Sequence, residues 1–133
     1  MIKYMLDTNI LIYTIKNRPR KARDAFKKHA DYLSMSAVTL GELVYGAERS
    51  AQVERNLDDI ESLAARMDVL PFDYHAAAHF GQLRAELEKA GKPIGPFDLM
   101  IAGHARSLGL ILVTNNVREF RRVPGLRVEN WAR

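Results

Sequence analysis

Cysteine is absent from this chain. That excludes a disulfide framework, a thiolate nucleophile and a zinc–thiolate site. No apolar run approaches the roughly 20 residues that a membrane-spanning helix needs. The apolar stretch that begins at Ile2 is stopped by Asp7, so no signal peptide is expected and the expected location is cytoplasmic. Repeats, low-complexity segments and linkers are missing too. Glycine and proline are sparse, but Gly91, Pro93, Gly95 and Pro96 fall together in one short loop. At 133 residues the chain fits one domain over 1–133, large enough to bury a core without a structural metal.

Positive charge is in modest excess, +4 with a pI near 9.5. Such a balance suits a polyanionic partner without establishing one. Its distribution says more. Seven basic residues and one acid, Asp24, lie between Lys16 and Lys28. A solvated helix face is the ordinary explanation of such a run. Because this run directly follows the first strand and helix, Arg18, Arg20 and Lys21 are kept as candidate phosphate contacts.

Ile2–Leu6 reads as a buried strand ending at Asp7, with Thr8 and Asn9 able to cap the helix that Ile10 begins. Leu33–Ala37 reads as a second strand. Val38–Ala47 follows as a helix apolar nearly all round, and Glu42 is its only charged side chain. Such a helix is expected to be buried, and a lone carboxylate within it needs a partner. Val53–Ala65 is amphipathic, with Val53, Leu57, Ile60 and Ala64 in a stripe expected to lie partly outside the core, at a dimer or partner interface. Met67–Leu70 is a third strand. Asp73 can cap a long helix ended by Gly91.

Pro96 suits the first turn of the next helix, and Asp98 stands in that same turn. First-turn acids ordinarily complement the helix dipole, but Ala102 and Ala105 leave space beside this one. His104 reads as a packed core histidine, and the His75/His79 pair as chance spacing rather than a metal site. Leu110–Thr114 is the clearest strand, apolar on both faces as parallel strands are. Asn115 and Asn116 follow it, then a short turn anchored by Phe120 and an edge strand at Leu126–Val128. Strands alternating with helices predict a parallel α/β sheet.

Three acids, Asp7, Glu42 and Asp98, fall where the ends of parallel strands and the starts of helices share one rim. An oxygen-only cluster suits magnesium or manganese. Without a cation the acids would raise one another's pKa. Two such ions about 4 Å apart can clamp both oxygens of a phosphodiester displacement.

The chain resembles the PIN-domain ribonucleases, and specifically the VapC toxins of bacterial VapBC toxin–antitoxin modules. The resemblance spans its whole length. It rests on Met5-Leu6-Asp7-Thr8-Asn9, on the run from Ser36 to Gly46 around Glu42, on Pro96-Phe97-Asp98-Leu99-Met100-Ile101-Ala102, and on Val113–Phe120. The resemblance implies a three-layer α/β/α fold with a five-stranded parallel sheet in order 3-2-1-4-5. It carries metal binding and catalysis onto Asp7, Glu42 and Asp98, a catalytic role onto Asn116, and supporting polar roles onto Thr8, Thr114 and Glu119. It implies a Mg2+- or Mn2+-dependent endoribonuclease that stops translation by cutting transfer RNA, with initiator transfer RNA near the anticodon favoured. It further implies a homodimer neutralised by a VapB antitoxin. The chain departs from many PIN domains in carrying Asn116 where a fourth acid is common, with Glu119 three residues on. A second metal is therefore expected to bind weakly. A nuclease of single-stranded DNA and a non-catalytic interaction module with scattered acidic caps are the alternative readings.

Overall fold

The structure is a computed structural model and describes residues 1–16 and 20–132. Five short strands, β1 (Tyr4–Leu6), β2 (Leu33–Ser36), β3 (Asp68–Leu70), β4 (Ile111–Val113) and β5 (Val128–Glu129), form one sheet in the order β3-β2-β1-β4-β5. Every pairing is parallel, with Tyr4 opposite both Leu33 and Ile111. The order reverses at β1, so the rim between β1 and β4 is the topological switch point where α/β sheets place their sites.

Alternation along β1 divides the core. Tyr4 and Leu6 face one layer, with α1 (Thr8–Ile15), α2 (Arg20–Lys28), α3 (Ala37–Glu48) and α4 (Val53–Ala64). Met5 faces the other, with α5 (Tyr74–Lys89) and α6 (Pro96–Ser107). Both faces are covered, as parallel sheets require. On the second face α5 and α6 approach closely at Gly103, where a Cβ would come within 2.8 Å of the Phe80 backbone nitrogen. A short α7 (Val117–Phe120) follows β4 and anchors Phe120 in the core. Among the described residues no helix is long and apolar enough to cross a membrane.

Several boundaries differ from the sequence reading for physical reasons. Strand β2 ends at Ser36 rather than Ala37, because the Ser36 hydroxyl accepts from the Val38 N–H and starts α3 as a cap. Neither Thr8 nor Asn9 caps α1; Asp7 does, accepting from the Ile10 N–H at 3.0 Å. The edge strand forms at Val128–Glu129, where Leu112 and Val113 pair with it, rather than at Leu126. Helix α3 is not buried all round. Thr39, Leu43 and Ala47 face inward, while Gly41, Tyr45 and Gly46 are exposed. The Val53–Ala64 stripe lies partly outside the core as expected: Ile60 is buried, while Val53, Leu57 and Ala64 are only partly buried. The Gly91 stop stands as expected, with φ of +70° and the Lys92 N–H reaching back to the Leu87 carbonyl. Pro19 and Arg18 lie outside the described residues.

Candidate active site

The first carboxylate is built into the fold. Asp7 emerges from β1 at the switch point and is only 3% exposed. One oxygen caps α1, a contact worth about 1 kcal/mol. The other accepts from the Thr114 hydroxyl at the end of β4. Thr114 Oγ1 in turn accepts from the Asn116 N–H at 2.9 Å. Hence one side chain ties together the ends of both central strands.

The remaining acids arrive from helices. Glu42 lies on α3, half-buried, and accepts from the Thr8 hydroxyl at 2.6 Å. Thr8 therefore orients Glu42 rather than capping its own helix. Asp98 lies in the first turn of α6 and Glu119 on α7, both half-buried. The Asn116 amide donates to Glu119 at 2.9 Å, so Asn116 holds a neighbouring acid through its NH2.

Burial and mutual repulsion leave their mark on the proton affinities. The Asp7 carboxyl is pushed up to about 6 from an ordinary 3.8, chiefly by burial and further by Glu42, against the opposing hydrogen bonds from Thr114 and Ile10. Asp98 is likewise pushed up to about 6, by burial first, then by the charges of Glu119, Asp7 and Glu42. Asp98 thus feels the other three acids, and Asp7 feels Glu42. Glu119 is the strongest charged neighbour of Asp98, a link the sequence reading placed only among supporting groups. The i, i+3 spacing from Asn116 to Glu119 was the available signal.

Among the described residues no three acidic or histidine side chains stand as a ready-made metal cage. What stands there is a set of coupled carboxylates, and the ion pairs found among the described residues, Arg20–Asp24 and Arg84–Glu88, lie outside it. The donor set is all oxygen, which suits a hard divalent cation. Asp7 is fixed, whereas half-buried Asp98 and Glu119 have room to adjust.

Other candidates fall elsewhere. His104 is buried, bonded to Ser36 at 2.8 Å and stacked edgewise on Phe72; burial lowers its pKa. His79 Nδ1 accepts from Arg106 at 3.0 Å, and His75 lies edgewise against Tyr74. Arg20 and Lys21 are exposed on α2, and Arg20 pairs loosely with Asp24 at 3.8 Å. Arg18 lies outside the described residues.

A parallel sheet in this order, with carboxylates gathered at its switch point, makes this an α/β protein with an acidic candidate site. Residues 4–126 match the PIN domain, and the chain belongs to the PIN-domain family. It is 59% identical over 132 residues to the tRNA(fMet)-specific endonuclease VapC of Shigella flexneri, covering 99% of this chain and all of that one. It is 53% identical to the protein of the same name from Salmonella typhimurium, over 98% of this chain and 99% of the relative. In structure it resembles the DNA-bound VapBC complex of Salmonella typhimurium, with a TM-score of 0.94 over 98% of this chain and 99% of that chain.

Proposed function

We infer that this protein is a divalent-metal-dependent endoribonuclease, the toxin of a VapBC module, which blocks translation by cutting transfer RNA. The observation that carries the activity is the group of uncompensated carboxylates at the switch point, two of them with raised proton affinity. The choice of target follows the relatives, which are named for specificity toward tRNA(fMet). Initiator transfer RNA, cut near the anticodon, is the favoured substrate.

The residues divide the work. Asp7, Asp98 and Glu42 hold the cation, with Mg2+ or Mn2+ the ions that fit their oxygens. Such an ion supplies positive charge for the scissile phosphate and makes water more acidic. Thr114 and the Ile10 N–H keep Asp7 in one orientation, and Thr8 does the same for Glu42. Asn116 steers Glu119 toward the Asp98 side of the rim. Arg18, Arg20 and Lys21 contact RNA phosphates. A VapB-type antitoxin keeps the enzyme silent, the free toxin is a homodimer, and both act in the cytoplasm, where transfer RNA is.

Sequencing RNA ends after brief expression tests this reading. New ends should gather in the anticodon loop of initiator transfer RNA and vanish with Asp98→Asn. Equal cutting of single-stranded DNA by the purified protein, or RNA ends that persist in Asp98→Asn, would overturn it.

A further inference from the structure

Asn116 also borders a surface of the opposite chemistry. A cavity of about 340 Å3 is lined by Asn115, Asn116, Val117, Arg118, Arg121 and Asn130. No acid lines it. Arg118 and Arg121 are three residues apart on and just after α7, hence on one side of that turn, and both are exposed.

Their freedom is unusual for this region. Arg106 gives its guanidinium to His79, Gln82 and the Pro124 carbonyl. Arg122 donates to the Pro93 carbonyl and Arg127 to that of Gly109. Among the described residues the guanidiniums of Arg118 and Arg121 have no ion pair or hydrogen-bond partner. Nor does the amide NH2 of Asn130, whose oxygen accepts from the Ala132 N–H. Three of its lining side chains, Arg118, Arg121 and Asn130, thus offer unused donors, the chemistry that takes a phosphate.

Asn116 is the wall between this cavity and the acids. Its NH2 binds Glu119, and the same residue lines the cavity. Because Asn116 belongs to both, an RNA phosphate held in this cavity sits next to the carboxylate group. We propose that Arg118 and Arg121, with Asn130, form a second subsite that grips a backbone phosphate adjacent to the one cleaved. The proposal rests on the ribonuclease reading for its choice of ligand. It moves the main phosphate grip from α2, where Arg20 is already engaged with Asp24, to the segment that carries Asn116 and Glu119.

The test is equilibrium binding of a synthetic RNA hairpin with a single-stranded loop, by fluorescence anisotropy in EDTA over a range of salt. Three proteins are compared: the parent, Arg118→Ala/Arg121→Ala, and Arg118→Lys/Arg121→Lys. The Ala pair should weaken binding roughly tenfold and reduce the salt slope by about 0.7, the value for one single-strand phosphate contact. The Lys pair should keep the parent slope, since the charges remain. An Ala pair that binds with the parent's slope overturns the subsite. Cleavage of the same hairpin by the parent with manganese is scored separately. A parent that fails to cut while the Ala pair loses slope defeats the ribonuclease reading and leaves the subsite standing.

Discussion

Asp7 and Asp98 carry the same functional group at the same rim, yet the fold treats them oppositely. Asp7 is buried, capped onto a helix and hydrogen-bonded on both oxygens. Asp98 is half-buried and faces its strongest charged neighbour, Glu119, across the rim. The two acids reach a similar proton affinity by different routes: burial dominates both, but hydrogen bonds oppose it at Asp7 whereas like charges add to it at Asp98. Asp7 is therefore the fixed half of the site, and the Asp98–Glu119 pair is the half that a cation must reconcile.

The largest expected effect comes from deleting either charge. Asp7→Asn and Asp98→Asn should each lower RNA cleavage roughly a hundredfold or more, the scale seen when one preorganised charge-stabilising group is lost. The comparison is broken or kept by their melting temperatures without metal at neutral pH. Asp98→Asn should melt higher than the parent, because repulsion with Glu119 is relieved. Asp7→Asn should gain less or lose, because an amide NH2 facing Thr114 leaves the threonine hydroxyl proton without its acceptor. Equal shifts in the two variants would erase the distinction between the halves.

Next in size is the pH dependence. Both carboxyls have folded pKa values raised above 3.8 to about 6. A raised acid contributes its stability below the unfolded value and loses it as pH rises through the folded one. The metal-free protein should therefore lose stability between about pH 4 and pH 6 from these groups. At about 1.4 kcal/mol per pKa unit, buried Asp7 accounts for roughly 3 kcal/mol of it, and solvent screening leaves Asp98 less. Thermal melts in EDTA across that window read the loss directly, and saturating manganese should cancel most of it above pH 6.

A smaller effect is expected at Asn116. Asn116→Asp removes the donor to Glu119 and places a third acid beside the Asp98 side. The metal-free form should melt lower, manganese should bind more tightly, and less metal should be needed for half-maximal cleavage. Asn116→Ala should cost less activity than Asp7→Asn. Calorimetry on the parent and these variants checks the order; unchanged affinity in Asn116→Asp would remove Asn116 from the site. The smallest effect belongs to α2. Arg20→Ala with Lys21→Ala should weaken RNA binding evenly across sequences and flatten the salt slope by less than two single-strand contacts, because Asp24 already engages Arg20. An unchanged slope would make α2 a solvated face.

The sheet was readable because its strands are apolar on both faces, Leu110–Thr114 above all, and because helices alternate with them. The strand order came from the family resemblance, not from periodicity. At the rim, residue type and chain position were enough to single out Asp7, Glu42 and Asp98 as candidates. Their partners were not legible. Whether Asp7 or Thr8 caps α1 depends on the chain's exit angle from β1, and no local pattern encodes that. Thr8 became free to hold Glu42 because Asp7 took the cap. The nearness of Glu119 to Asp98 joins residues from two helices on either side of β4, a tertiary fact. Tyr45, 62% exposed on a helix expected to be buried, was misjudged because apolar composition alone does not say which side of a helix meets the sheet. The stripe at Val53–Ala64 does lie partly outside the core, with Ile60 buried and Val53, Leu57 and Ala64 only partly so.

The central claim is that these carboxylates form one cation-dependent unit rather than separate caps. Calorimetric titration of the parent with manganese at about pH 5 and about pH 8, in two buffers of different ionisation enthalpy, tests it most directly. The account predicts weak binding at the lower pH, accompanied by proton release from Asp7 and Asp98, and markedly tighter binding at the higher pH with little release. Binding of equal strength at both, with no proton released at either, would contradict it.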